Sequence, residues 1–252
     1  MTLWTWAGAS CRGSSHVKAG TRRQDAFASF AVRDGAVLVA IVSDGAGSAS
    51  HGGEGASLIC RTLSLAARAH FSASACLPAD EEVRRWIDDA RDRIGIAAAR
   101  RGLVPRDFAA TLVLAITDGR ATMVAHVGDG SAVVREEDGA SWRALSWPAQ
   151  GEYASTTFFV TDDPQPQLRF ARTDDPVDAV AIFSDGIERL VLDYAEESAH
   201  QPFFRGIILP LEAAPSPGLD ADLSAKLRDY LDGPAITERT DDDKTLVLAV
   251  RR

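Results

Sequence analysis

The sequence predicts an α+β fold in which two stacked antiparallel sheets are covered by helices. Residues 26–44 and residues 110–129 each contain two apolar runs joined by an Asp-Gly dipeptide, Asp34-Gly35 and Asp118-Gly119. That pattern is typical of a β-hairpin. Two segments with helical periodicity lie between the hairpins, and hairpins with helices inserted in pairs fit layered sheets. No linker-like stretch divides the chain, so we expect residues 1–252 to form one domain.

The first helix is predicted from Glu54 to about Ser72, where apolar residues recur at helical spacing. The second is predicted from Asp80 to Arg101, opened by Pro78 and closed by Gly102. Both have one apolar stripe, so each should cover a sheet.

The second half of the chain gives weaker signals. Ser131–Val134 and Ser141–Leu145, joined at Asp138-Gly139, predict one more strand pair. Residues 146–176 contain four prolines, which predicts a long irregular surface excursion. Helical patterns return after Asp185 and from about residue 219 to 231.

Composition excludes several classes of protein. The chain has 252 residues, 46% hydrophobic and 25% charged, which is ordinary for a globular protein. A net charge of -9 argues against nucleic acid as a partner. No run approaches the roughly 20 apolar residues of a membrane span, and the first ten residues lack the pattern of a secretory signal. Three cysteines without metal-ligand spacing indicate reduced thiols, so we expect a cytoplasmic protein without a membrane partner.

Acidic residues stand at the ends of the apolar runs. Asp44, Asp129 and Asp185 each follow such a run, Asp242 precedes the last run, and Asp25 precedes the first strand of a hairpin. If these strands are neighbours, their carboxylates meet at one end of the sheets. Two carboxylates repel by about 4 kcal/mol at about 4 Å and an effective dielectric near 20. Such a cluster favours a site for divalent cations, and oxygen ligands suit Mg²⁺ or Mn²⁺.

A plain hairpin turn is the alternative for any single Asp-Gly. Asp34, Asp118 and Asp138 fit that alternative, because a strand-like run follows each. Asp44 instead leads into a glycine-rich loop, and Asp185 leads into a helical stretch. Asp129 is intermediate, and the acidic trio 241–243 taken alone is typical of a solvated loop.

Several motifs in this order resemble the metal-dependent protein phosphatases of type 2C, especially their compact bacterial branch. The resemblance covers almost the whole chain and is carried by Gln24-Asp25-Ala26, Ser43-Asp44-Gly45-Ala46-Gly47, Gly53-Glu54-Gly55-Ala56-Ser57, Ala110-Thr111-Leu112, Gly128-Asp129, Phe183-Ser184-Asp185-Gly186 and Asp242-Asp243-Lys244-Thr245. Ser14-Ser15-His16 and Gly151-Glu152-Tyr153 are less specifically similar to a bacterial subgroup.

The resemblance implies roles for individual residues. Asp44 would bridge two Mn²⁺ or Mg²⁺ ions, and the Gly45 carbonyl would bind one of them. Asp185 and Asp242 would complete the shell of the first ion, although Asp243 would serve if the register differs by one residue. Asp25 would act near the second ion. Asp129 would help to hold a weaker third ion, and the catalytic set would be Asp44, Asp185, Asp242 and Asp25.

The resemblance also implies a four-layer α-β-β-α sandwich, with two antiparallel sheets flanked by paired helices. The expected activity is hydrolysis of phosphoserine and phosphothreonine in proteins, by direct attack of a water that bridges the metal ions. The substrates would be proteins phosphorylated by a bacterial-type Ser/Thr kinase. No cysteine precedes a phosphate-cradling arginine loop, so no covalent nucleophile is expected.

One departure from the family pattern concerns phosphate binding. Gly20 stands where the family usually has an arginine that holds phosphate. Arg22, Arg23 and His16 are the predicted substrate-binding replacements, with Lys18 also near. This departure leaves two alternatives open: a catalytically silent relative that binds phosphoproteins, and a phosphohydrolase that acts on small phosphoesters.

Overall fold

The computed structural model describes residues 2–137, 141–149 and 157–252. The predicted turn at Asp138-Gly139 and the motif Gly151-Glu152-Tyr153 lie outside the described residues. The strands of the described part, β1 to β13 in chain order, are Trp4–Cys11, Ala26–Val32, Val37–Ser43, Leu112–Thr117, Thr122–Val127, Ser131–Glu136, Trp142–Ser146, Arg169–Thr173, Val177–Phe183, Leu192–Asp193, Ser198–Ala199, Gly218–Leu219 and Lys244–Arg251. Its α-helices, α1 to α7, are Ser14–Ala19, Gly52–Ala73, Asp80–Ala99, Asp185–Val191, Gln201–Glu212, Ala221–Leu231 and Pro234–Thr237.

Two sheets form the centre of the molecule. One has the strand order β12-β1-β13-β9-β6-β7 and the other has the order β2-β3-β4-β5-β8. β10 and β11 form a separate two-stranded pair. The short pairing of β12 with β1 is parallel, and the other pairings between described strands are antiparallel. The sheets therefore match the predicted antiparallel arrangement apart from this one short edge strand.

Three apolar layers hold the sheets and helices together. The helices α2 and α3 cover the five-stranded sheet, with Ile59, Leu63 and Ile87 among the buried side chains. The helices α5 and α6 cover the six-stranded sheet around Phe204 and Leu231. A third apolar cluster lies between the two sheets. This four-layer arrangement is the one predicted from the sequence.

The irregular excursion predicted for residues 146–176 is partly wrong, because it contains the edge strand β8. This strand pairs with β5, and its Arg172 donates to the Pro78 carbonyl at 2.6 Å. A short edge strand with charged side chains has no strong apolar alternation, and prolines on both sides of β8 indicate a loop. For these two reasons the sequence did not predict the strand. Helix α5 was also missed, because Pro202 and Pro210 lie within it.

No helix in the described ranges combines the length and the apolar character that crossing a membrane requires.

Candidate active site

The acidic residues meet at one end of the two sheets, as their positions in the sequence predicted. Asp44 follows β3 and Asp185 follows β9, and the end of β9 pairs with the start of β13, next to Asp242. Asp25 precedes β2, whose first residue pairs with Ser43. Between these strand ends lies a cleft of about 380 Å³. The described residues that line this acidic cleft are Asp44, Ala46, Gly47, Ser48, Arg106, Asp129, Thr157, Phe159, Asp185 and Asp242.

The dipeptides Asp44-Gly45 and Asp185-Gly186 require glycine for a steric reason. A Cβ on Gly45 would collide with the backbone of Gly52 and Gly53 at the start of α2. A Cβ on Gly186 would collide with the carbonyl of Asp243. The two glycines therefore let the strand ends, the first turn of α2 and the start of β13 approach closely enough to place the carboxylates around one cleft.

Burial and mutual repulsion oppose ionisation of these carboxylates. Burial, followed by the charges of Asp25 and Asp185, raises the pKa of Asp44 well above its usual value. Burial, followed by the charges of Asp129 and Asp242, does the same to the pKa of Asp185. The basic groups of the protein thus do not balance the negative charge that these carboxylates would carry at neutral pH.

Asp25 is fixed by hydroxyl groups from the six-stranded sheet. Ser184 Oγ and Thr245 Oγ1 donate to Asp25 Oδ2 at 2.8 and 2.5 Å. Burial raises the pKa of Asp25, while its side-chain contact with Asp44 and its hydrogen bonds with Thr245 and Ser184 oppose the rise. The other oxygen, Asp25 Oδ1, is buried without a hydrogen-bond partner, as is Asp185 Oδ1. Each of these two atoms is an acceptor without a donor.

The donor set fits a hard divalent cation. Its side chains offer carboxylate oxygens, two of which are buried and unpaired, and the raised pKa values indicate missing positive charge. Within the described residues, no three His, Cys, Asp or Glu side chains are already arranged as a closed metal-binding group. The carboxylates are therefore separate donors around an open cleft.

Asp129 lies between the end of β5 and the start of β6 and also lines the cleft. Burial raises its pKa, while Thr157 Oγ1 donates to Asp129 Oδ2 at 2.7 Å and favours the charged form. Because Thr157 already occupies one of its oxygens, Asp129 has less free capacity for a cation than Asp44 or Asp185.

The predicted substrate-binding residues have other contacts. Arg23 donates to the backbone carbonyls of Ser10 and Asp25 at 2.9 and 3.2 Å. His16 Nδ1 lies 3.0 Å from Asp243 Oδ1, without the alignment of a hydrogen bond. Arg22 is exposed, and its side chain makes no hydrogen bond or ion pair in the described part of the chain. None of these three side chains is among the described residues that line the acidic cleft.

Sequence reasoning missed Arg106, the one basic residue among the described residues of the cleft wall. It lies in a 3₁₀ turn, Pro105–Phe108. Its Nη1 donates to Asp162 Oδ1 at 3.2 Å, and its Cζ lies 5.1 Å from the centre of the Phe159 ring.

The backbone explains why Arg106 reaches the cleft. Ala46 donates to the carbonyl of Ala109 at 2.9 Å, and His51 donates to the carbonyl of Asp107 at 2.7 Å. These bonds attach the turn to the glycine-rich loop after Asp44. Because they join segments more than 50 residues apart, no local pattern could place Arg106 beside Asp44.

The family and the fold are confirmed by comparison with known proteins. The model of the protein phosphatase 2C family matches residues 12–232. Serine/threonine-protein phosphatase 3 of Escherichia coli (strain K12) is 35% identical over 251 residues, which is 98% of each chain. PppA, described as a key regulatory component of T6SS in Pseudomonas aeruginosa, superposes with a TM-score of 0.67 at 20% identity over 100% of both chains.

A further solved structure is the catalytic domain of the serine threonine protein phosphatase PstP, which was obtained in complex with two manganese ions. It superposes with a TM-score of 0.65 at 16% identity, over 100% of this chain and 99% of that one. These structural likenesses confirm the predicted fold, while the family model and the E. coli relative identify the lineage. The chain belongs to the protein phosphatase 2C family.

Proposed function

We propose that this chain is a Mn²⁺- or Mg²⁺-dependent protein phosphatase that hydrolyses phosphoserine and phosphothreonine. The observation that carries this proposal is the acidic cleft, where Asp44 and Asp185 have strongly raised pKa values and Asp25 and Asp185 each have an unpaired buried oxygen. Family membership and the name of the E. coli relative support the same activity.

The residues that would hold the cations are those that surround the cleft. Asp44 would hold both ions, and the carbonyl of Gly45 would bind one of them. Asp185 and Asp242 would hold the first ion, Asp25 would act at the second, and Asp129 would help to hold a weaker third. When bound, two such ions lower the pKa of a coordinated water and offset the charge on the phosphoryl oxygens.

The protein's own residues have the task of orienting the phosphoryl group. We propose that Arg106 contacts it, because this side chain lines the cleft and is held by Asp162 and Phe159. Among the sequence-predicted residues, Arg22 has the side chain most free to contact a substrate, since Arg23 and His16 already have protein partners. An arginine suits a phosphoryl group, because its guanidinium donates two parallel hydrogen bonds.

The biological setting follows from this activity. The substrates would be proteins phosphorylated by a bacterial-type Ser/Thr kinase. The enzyme would act on them in the cytoplasm. We also propose a single domain over residues 1–252, which the pairing of β1 with β13 at the two ends of the chain supports.

One assay separates this function from its alternatives. The purified protein is given an aryl phosphate and a phosphothreonine peptide, each with Mn²⁺ and with excess chelator. A protein phosphatase hydrolyses both substrates only with Mn²⁺. A phosphohydrolase specific for small esters leaves the peptide intact, and a silent relative leaves both intact. Full activity in excess chelator contradicts the metal-dependent mechanism.

A further inference from the structure

A second groove of about 720 Å³ opens beside the acidic cleft. We call it the lateral groove, and its polar wall consists of Asp129, Thr157, Glu188, Arg189, Asp193, Tyr194, His200 and Arg239. Asp129 and Thr157 also line the acidic cleft, so the two depressions share a wall. A chain whose phosphorylated residue lies in the cleft would therefore have its neighbouring residues at the lateral groove, since each extended residue spans about 3.3–3.6 Å.

The acidic side chains of the lateral groove are already engaged by the protein. Asp193 Oδ1 accepts hydrogen bonds from the backbone N–H groups of Ala195 and Glu196 at 3.0 and 3.2 Å. Asp129 accepts the bond from Thr157. Glu188 is hydrogen-bonded to Tyr194, and burial raises the pKa of Glu188 to about 7, so its negative charge is incomplete at neutral pH.

The basic side chains of the same groove are not engaged in this way. Arg189, His200 and Arg239 are exposed, and none of their side chains forms a hydrogen bond or an ion pair with another described residue. Arg189 acts on Glu188 and Tyr194 only through its charge. Elsewhere in the described structure, Arg135, Arg143 and Arg172 each contact a carboxylate within 3.5 Å. The groove thus presents two arginines, Arg189 and Arg239, without a hydrogen bond or ion pair to a described side chain, on a chain whose net charge is -9.

We propose that the lateral groove binds the residues next to the phosphorylated residue of the substrate and favours acidic side chains there. The ligand is a peptide segment whose Asp or Glu side chains pair with Arg189 and Arg239. This inference rests on the proposed phosphatase function and adds a substrate preference to it. Support for an acidic flank comes from Arg189 and Arg239, which are exposed in the groove wall without an ion-pair partner among the described residues.

The test compares peptides that differ only in the flank. Two phosphothreonine peptides of equal length are used, one with Glu and one with Gln at the three positions on each side, and an aryl phosphate is the third substrate. The variants are Arg189→Ala, Arg239→Ala and the double variant. The control is Arg85→Ala with Arg93→Ala, which removes two exposed arginines from α3 and gives the same change in net charge.

We expect kcat/KM in the parent to be about tenfold higher for the Glu peptide than for the Gln peptide. Exposed ion pairs each contribute modestly, so the ratio of the two values should fall about threefold in each single variant and approach one in the double variant. The control variant should keep the parental ratio. Added salt should lower the ratio as well, because exposed pairs are screened.

The two proposals fail in different ways. If the parent hydrolyses the aryl phosphate but cleaves the Glu and Gln peptides equally well, the substrate preference is wrong and the phosphatase function stands. The same conclusion follows if the preference exists but survives in the double variant. If the parent hydrolyses none of the three substrates with Mn²⁺, the proposed function itself is wrong.

Discussion

Asp242 and Asp243 are consecutive residues, but their carboxylates have different surroundings. Asp243 is buried and accepts hydrogen bonds from the backbone N–H groups of Gly13 and Gln24 at 2.6 and 2.5 Å. Asp242 lies in the wall of the acidic cleft, and its charge contributes to the raised pKa values of Asp44 and Asp185. Asp243 thus holds the segment that leads to Asp25. Asp242 accepts only the N–H of Asp243, through Oδ1 at 2.8 Å, and keeps its other carboxylate oxygen for a cation.

Substitution by Asn should separate these two roles. Asp242→Asn removes an anionic oxygen from the cleft, so we expect most of the activity to be lost while the protein stays folded. Asp243→Asn weakens hydrogen bonds to buried N–H groups, which should lower the free energy of unfolding by about 1–3 kcal/mol. Thermal melting in chelator and kcat/KM with Mn²⁺ measure the two effects. Asp243, and not Asp242, is the cation ligand if Asp242→Asn keeps parental activity and Asp243→Asn loses it without a change in melting temperature.

A second prediction compares the carboxylate of Asp44 with that of a turn. Asp118 Oδ1 accepts hydrogen bonds from the N–H groups of Arg120 and Ala121, both at 2.8 Å. Asn retains such an oxygen, so Asp118→Asn should leave turnover within a few-fold of the parent. Asp44→Asn removes the charge that a hard cation needs and should abolish most turnover.

Calorimetric titration with Mn²⁺ and circular dichroism complete this comparison. The Asp44 variant should remain folded, because relief of carboxylate repulsion offsets the loss of any single contact. It should lose Mn²⁺ affinity, because the anionic oxygen is gone. Near-parental turnover and Mn²⁺ affinity in Asp44→Asn would rule out the two-ion assignment.

The third prediction concerns the phosphoryl contact of Arg106. Loss of one charge-assisted contact costs about 1.5 kcal/mol at the lower end of the usual range, so Arg106→Ala should reduce kcat/KM about tenfold for both aryl phosphate and phosphopeptide. Arg91→Ala is the matched control. Arg91 donates to the backbone carbonyls of Asp162, whose side chain is the partner of Arg106, and of Pro164. Arg91 is not part of the described cleft wall.

The comparison of the two arginines also detects an indirect effect. If both variants lose activity equally, the loss comes from disturbing residues 162–164 and the phosphoryl contact lies elsewhere. Arg22→Ala would then be the next variant to measure, because the Arg22 side chain has no partner within the described ranges.

The strand ends were predictable from the sequence because the chemistry there is local. An apolar run that stops at Asp44 or Asp185 marks the end of a buried strand, and the glycine that follows marks a close approach of backbones. These two features mark Asp44 and Asp185, and the glycine-rich loop or helix that follows distinguishes them from the hairpin turns at Asp34 and Asp118. These features do not distinguish Asp242 from Asp243, because that choice depends on hydrogen bonds to Gly13 and Gln24 more than 200 residues away.

Features that depend on contacts between distant segments were not predictable. Strand β8 lies at the edge of its sheet, where charged side chains such as Arg172 replace an apolar period. Strand β1 is buried along its whole length, so its residues show no alternation. Arg106 reaches the acidic cleft only because the glycine-rich loop after Asp44 holds its turn there.

Removal of metal should affect stability as well as activity. A cation that binds only the folded state stabilises it by about 2.7 kcal/mol at 100 times its Kd. For a chain of this size, that stabilisation should raise the melting temperature by roughly 5–10 °C. We expect negligible hydrolysis in chelator, recovery with Mn²⁺ and weaker recovery with Mg²⁺. Alkylation of the exposed Cys76 should leave activity unchanged, and a melting temperature independent of Mn²⁺ would contradict a built cation site.

The last prediction concerns Glu188, which lines the lateral groove. Burial, followed by the charge of Asp129, raises its pKa to about 7, while its hydrogen bond with Tyr194 opposes the rise. Its Oε2 atom is buried without a hydrogen-bond partner. The folded protein therefore favours the protonated side chain, whereas in the unfolded chain the carboxyl has its ordinary pKa of about 4.5.

The sign of the pH effect follows from this difference. A folded-state pKa above the unfolded value gives a contribution to stability that is fully present below about pH 4.5 and is lost as the pH rises through 7. Glu188→Gln stays neutral at every pH and keeps the shape of the side chain. Its melting temperature in chelator should match the parent at pH 5 and exceed it at pH 8.5. For Glu81→Gln, at an exposed position on α3, the difference in melting temperature from the parent should be the same at pH 5 and at pH 8.5. If the Glu188 variant melts below the parent at pH 8.5, the ionised carboxylate stabilises the fold and the burial argument is wrong.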